Sequence, residues 1–339
     1  MAAPIDLTNA EHYAHRYVES DDTFRFVALS RGELPSMPFL TDACLGERPV
    51  LGELPAAKVL ADCGKGNPRL LFHSAFCGST LLTRALDRAG MATGLSEPVT
   101  LNDVVGFRRR GARPAAVART ADAALRLLAR PYGAGEAVVI KPSNVVNPLA
   151  ELLLALTGDN PALFLYAPLE TFLISVARKG LECRLWVREL LDGYLQEGFV
   201  GLGFTPQDLF RQSDLQIAAV GWLAQHAHFA RLADKLGPVR LRTLDADQVT
   251  ADPAGAISAV ARHYSLALGE EDLAAIVSGP AFTRHSKSGE SYSPQSRAED
   301  YDRARSAYGG EIDMVMEWAR RVADNAGIAM DAPNQVLQA

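Results

Sequence analysis

The residues of this sequence that invite chemistry sit at short turns. In RLLFHSAFCGSTLLTRALDRAG, residues 69–90, an apolar run leads into the small-residue turn Cys77-Gly78-Ser79-Thr80 and then into an amphipathic helical pattern. A glycine at a strand-to-helix turn lets the backbone approach a phosphate or sulfate. The first N–H groups of the helix lack intrahelical partners and point at such an anion. The hydroxyls of Ser79 and Thr80 can add donors. A plain helix cap, with glycine for close packing, is the competing reading of the same residues.

The nucleotide-triphosphatase pattern GxxxxGK[ST] is not met, because Ser79 stands where its lysine belongs and no glycine lies five positions before Gly78. That weakens a kinase or ATPase assignment. Cys77 at a helix N-terminus could be an activated thiol, but no His partner for it is identifiable. His73 could donate to an anion or be a satisfied core histidine. His226 and His228, two apart on a helical stretch, do not face one metal. Trp186, Trp222 and Trp318 suit a core or a substrate wall.

The elements that must position these residues follow from the apolar pattern. Short bounded runs at 69–74, 137–141, 162–167 and 238–243 read as buried strands. Helical patterns occupy 79–89, 115–129, 148–156, 169–179, 214–236, 253–264 and 295–326. Such alternation predicts an α/β fold, three layers with a mainly parallel sheet. Ligands of that architecture lie beyond the carboxyl ends of the strands, which here carry His73, Lys141, Ala167 and Asp245. Lys141 is either a ligand-edge cation or a surface lysine at a strand end. The first sixty-odd residues look polar and irregular, with a short helical signal at 10–19 and a Pro-punctuated segment at 34–55.

The chain has 339 residues, 48% of them hydrophobic, enough for a substantial core. Its net charge of −6 argues against a general nucleic-acid or membrane-surface binder. The N-terminus has no signal-peptide pattern and no apolar run has the length of a membrane span, so a cytoplasmic location is expected. Four cysteines without a CxxC pair suggest neither a disulfide framework nor a zinc site.

HSAFCGSTLLTRALD resembles the 5′-phosphosulfate loop of sulfotransferases, aligned on Gly78, Thr80, Leu81 and Leu82. Five further segments resemble family motifs in order. TGLSEP places Glu97 at the offset of the catalytic glutamate of the tyrosylprotein-sulfotransferase branch. VVIKPSN places Lys141 on that branch's functional lysine. LFLYAPLETFLIS is similar to the 3′-phosphate motif, with Ser175 at the right spacing. PVRLRTLDADQVTADP and RHSKSGE resemble the late strand-helix segment and the Ser-Lys loop, with Ser286 and Lys287. The resemblance implies a P-loop nucleotide-hydrolase-like domain at 67–330, preceded by an extension at 1–66 and followed by a tail at 331–339.

It further implies sulfuryl transfer from 3′-phosphoadenosine-5′-phosphosulfate (PAPS) to a hydroxyl acceptor. Cys77, Gly78, Ser79, Thr80 and Leu81 would hold the 5′ end, Ser175 and Arg178 the 3′-phosphate, and Ser286 and Lys287 the nucleotide. Glu97 would be the base and Lys141 the stabilising cation. Glu97 could instead cap the helix that begins near Val99. Two family cations are missing, replaced by Phe76 and Ala167. Lys179, Arg184 and Arg188 lie near Arg178 as a substitute cluster or a solvated face. An inactive binding protein and a nucleotide-dependent kinase are the competing functions. The partners implied are a nucleotide donor and an acceptor held by loops at 108–113 and 193–212, with no nucleic acid and no membrane.

Overall fold

The computed structural model describes residues 4–283 and 294–337. Eight strands form two sheets: β1 (His12–Val18), β2 (Thr23–Ala28) and β3 (Val50–Pro55) in one, and β4 (Pro68–His73), β5 (Ala92–Ser96), β6 (Ala137–Lys141), β7 (Ala162–Tyr166) and β8 (Leu241–Asp245) in the other. The larger sheet is parallel throughout, ordered β5-β6-β4-β7-β8. Every residue of β4 and β7 is buried, so helices cover both faces and the expected three-layer α/β architecture is present. On one face Phe229, from the helix Asp214–Leu236, packs on Phe72 and Phe164, the latter stacked at 4.1 Å.

The strand that carries the Gly78 turn therefore lies in the middle of the sheet. Its neighbours end at Lys141 and Tyr166. β5 was not expected, because Ala-Thr-Gly-Leu-Ser shows no apolar run. It lies at the sheet edge, and β6 is the one strand of the large sheet beside it. Gly94 within it admits the helix Ser79–Leu86 closely: an added Cβ would meet the Thr83 carbonyl oxygen at 2.9 Å. β8 begins at Leu241, three residues later than the expected run, since Pro238 has no N–H for a ladder.

The N-terminal segment departs most from expectation. Residues 12–18 form β1 rather than a helix, paired with β2 across a register shift between Ala14 and Arg16. Thr100 Oγ donates to the Ala14 and His15 carbonyls exposed by that bulge, at 2.6 and 2.8 Å. Arg16 grips Asp103 of the same helix, Val99–Arg109, at 2.8 Å. The small sheet thus shares one apolar core with the large one.

A helix at Gly180–Gln196 was also unforeseen. Gly180, with φ of +71°, turns the chain sharply after Leu169–Arg178. The long helix Pro294–Ala326 packs on Leu169–Arg178 and on Asp214–Leu236. The chain then returns to the outer edge of β8: Thr243 N–H bonds Asn334 O, and Val336 N–H bonds Thr243 O. No helix among the described residues is long and apolar enough to cross a membrane.

Candidate active site

The turn after β4 is wound tightly. Ala75, Phe76 and Gly78 have φ of +72°, +51° and +73°, a left-handed path that disfavours side chains by about 1–2 kcal/mol per non-glycine residue. Tertiary bonds hold it there. Ala167 N–H donates to Ser74 Oγ at 3.1 Å, and Ser74 N–H to the Leu165 carbonyl at 3.1 Å. Ala75 N–H donates to His73 Nδ1 at 3.2 Å, which leaves the proton of a neutral ring on Nε2. Asn147 fixes the end of β4 by donating to the His73 carbonyl at 3.0 Å and to Gln225 at 2.8 Å.

From this turn the helix Ser79–Leu86 starts without a side-chain cap. Leu82 N–H is bonded back to Gly78 O at 3.0 Å, so the orphan donors at the terminus belong to Ser79, Thr80 and Leu81. Gly78 is exposed, while Ser79 and Thr80 are buried beside it. Cys77 is buried as well, and burial pushes its thiol upward, against a nucleophilic role. It contributes to the turn as backbone.

Glu97 and Lys141 come together beside this turn. Glu97 follows the last residue of β5 and Lys141 is the last of β6; the Lys141 ammonium meets Glu97 Oε1 at 2.5 Å. Lys141 is 0% exposed, so it is no surface lysine. Glu97 has φ of +51°, held by its N–H bonding the Lys141 carbonyl at 2.7 Å. His73 Nε2 lies 3.8 Å from the same carboxylate oxygen. The helix at Val99 is preceded by Pro98 and has no side-chain cap, so Glu97 faces Lys141 rather than capping. Three adjacent strands thus deliver a carboxylate, an ammonium and an imidazole to one edge. That set can move a proton and steady developing negative charge.

The other expected residues are engaged differently. Ser175 Oγ hydrogen-bonds Tyr301 at 2.8 Å, and Arg178 pairs with Asp300 at 2.5 Å, both partners from the long helix Pro294–Ala326. Arg184 and Arg188 pair with Glu311 and Asp214. Arg109 and Arg108 close on the nearly buried Glu197, at 2.7 and 3.3 Å, which ties the 108–113 segment to the helix Gly180–Gln196. Ser286 and Lys287 lie outside the described residues. No cluster of three metal-ligating side chains occurs among the described residues.

Phe76, where the resemblance expects a cation, joins an aromatic cluster with Phe172 and Trp186 at 5.7 and 5.5 Å. Lys179 Nζ sits 5.5 Å from the centre of its ring. A positive charge is therefore returned to the turn from the helix Leu169–Arg178. At the second missing cation, the Ala167 carbonyl accepts from Trp222 Nε1 at 2.8 Å. Phe39 was not foreseen at all: its ring covers the Lys141 ammonium at 5.2 Å. No pattern in the sequence links residue 39 to residue 141.

No protein-family model matches the sequence, and no characterised protein matches it significantly. Solved structures with a similar course of chain include a sulfotransferase from Mycobacterium tuberculosis, at 15% identity and a TM-score of 0.41 over 75% of this chain and 79% of that one. The sulfotransferase domain of the curacin biosynthetic pathway has 14% identity and a TM-score of 0.44, over 80% and 100%. That of a Synechococcus olefin synthase has 14% identity and a TM-score of 0.43, over 72% and 90%.

Proposed function

We propose that the chain is a sulfotransferase-like enzyme that moves a sulfuryl group from PAPS to a hydroxyl acceptor. The observation that carries this reading is the pairing of fully buried Lys141 with part-buried Glu97 beside the uncapped helix terminus at Gly78-Ser79-Thr80. A phosphosulfate needs amide donors and a nearby cation, and the 5′ end of the site offers both. A phosphate at Ser175 and Arg178 would compete with Tyr301 and Asp300, to which they are bonded.

Bound there, the donor would supply the activated sulfuryl group; the rest falls to this chain's own residues. Glu97 takes the acceptor's proton on a carboxylate oxygen. The ammonium occupies the carboxylate oxygen Oε1 that an acceptor hydroxyl would have to reach. The pair therefore has to open in the reaction, an acceptor hydroxyl replacing Lys141 at Glu97 while Lys141 turns to the anion. His73 Nε2, 3.8 Å from the same carboxylate oxygen, is placed to donate to it as Lys141 moves off.

Isothermal titration with adenosine 3′,5′-bisphosphate tests the donor assignment. Heat of binding at micromolar to millimolar ligand is expected, and its absence removes the assignment. The closed 3′ end favours a second reading, a binding protein of this fold without turnover. Nucleotide binding without transfer from labelled PAPS to any of a broad acceptor panel would support it. A thermal shift with ATP alone would instead favour a kinase.

A further inference from the structure

We propose that Phe39, carried in by the N-terminal segment, is the positioning residue of the Lys141–Glu97 pair: its ring seats the ammonium at the sheet edge, beside Glu97 and in reach of the anion once the pair opens, and keeps water off it. The importance of that pair rests on the function proposed above.

A lysine is almost never fully buried, because its ammonium carries three donors and a strongly hydrated charge. Lys141 is fully buried, and Glu97, itself 21% exposed on its side chain, is the carboxylate it meets. The face of an aromatic ring attracts such a cation without competing for Glu97 as a hydrogen-bond partner. Phe39 presents that face at 5.2 Å.

The placement of Phe39 is fixed by its neighbour. Leu40 N–H donates to the Ser96 carbonyl at 2.8 Å, and Val99 N–H donates to the Leu40 carbonyl at 3.1 Å. One residue of the N-terminal segment thus bonds both sides of Glu97-Pro98, along the outer edge of β5. The Leu40 side chain is buried and anchors the contact. Together with the Glu97 N–H bond to Lys141 O, these bonds hold the left-handed backbone of Glu97 from three directions. Phe39 has no acid–base chemistry, so its contribution is to geometry and to the exclusion of water.

The test uses the full chain and its Phe39→Ala, Phe39→Leu and Phe39→Tyr variants. Reductive methylation with formaldehyde and a borane reductant, read by peptide mass spectrometry, measures access to Lys141 against the exposed Lys65. In the unmodified sequence Lys141 should react at least about tenfold more slowly than Lys65, as a group reached only by local opening does. Phe39→Ala should remove most of that protection and Phe39→Tyr should restore it. Phe39→Leu, which keeps apolar cover without the ring, should be intermediate, and it serves if the alanine variant does not fold.

In a transfer assay kcat should drop about tenfold in Phe39→Ala, equivalent to about 1.4 kcal/mol, while the dissociation constant for adenosine 3′,5′-bisphosphate stays unchanged. Lys141 still protected in both Phe39→Ala and Phe39→Leu, or uncovered with kcat unmoved, overturns the proposal. If the unmodified chain neither binds nucleotide nor transfers, the functional reading fails. The methylation arm then still decides whether Phe39 holds the pair.

Discussion

At the Gly78 end of the sheet edge, a fully buried ammonium faces a carboxylate beside a helix terminus that no side chain caps. At the Ser175 end, a hydroxyl and a guanidinium are already bonded to Tyr301 and Asp300. Both places hold polar side chains already bonded within the protein, but only the first lies beside backbone amides that the helix leaves without partners. The difference comes from chain topology. The first set lies on adjacent parallel strands whose carboxyl ends converge, and the second lies on a helix surface that the long helix Pro294–Ala326 covers. Residue type alone therefore does not set how such groups are engaged; what else the chain lays against them decides it.

The contrast breaks most directly at Lys141. Lys141→Ala leaves Glu97 part-buried without its cation, which should cost about 3 kcal/mol or more in a urea titration. It should also lower transfer by about a hundredfold or more; unchanged turnover would demote the Gly78 end to a structural feature. Glu97→Gln should reduce kcat by about a hundredfold or more, with nucleotide affinity retained in titration calorimetry.

The support of the closed end is sensitive to acid. Trp222, which bonds Ala167 O, stacks on His226, and burial lowers both His226 and His228 to about 4. The unfolded rings titrate near 6.5, so these groups favour folding above pH 6.5, and that contribution falls away as pH drops from there toward 4. Denaturant titrations at pH 7 and pH 5 should show a loss of a few kcal/mol at the lower pH. The loss should shrink in His226→Asn.

Opening the closed end is a smaller change. Tyr301→Phe together with Asp300→Asn should free Ser175 and Arg178, and tighten adenosine 3′,5′-bisphosphate about fivefold by calorimetry, about 1 kcal/mol. Weaker binding would mean that the long helix forms part of the nucleotide site. Asp300→Asn alone should alter folding stability by less than about 1 kcal/mol, as partly exposed ion pairs do.

The central sheet was legible in the sequence because β4, β6, β7 and β8 are short apolar runs with helical patterns between them. The helices Asp214–Leu236 and Pro253–Tyr264 occupy the expected residues, each starting at a Ser or Asp whose side chain accepts from the helix's own amides. β5 and the N-terminal sheet were not legible. Their residues are mixed in character and become strands through partners distant in sequence. In the site, the turn, Glu97 and Lys141 follow from local pattern and family resemblance. Phe39 over Lys141, Lys179 over Phe76 and the bond between Ser175 and Tyr301 do not, because each joins residues that no spacing rule connects.

The return of residues 334–336 to β8 has a practical consequence. Without it the last strand of the large sheet would present a row of free amides and carbonyls to solvent, a template for pairing with another molecule. Shortening the chain before Ala332, or fusing a rigid partner directly there, should therefore produce self-association at high concentration, visible as concentration-dependent sedimentation, while leaving the Lys141–Glu97 pair on the opposite half of the sheet untouched.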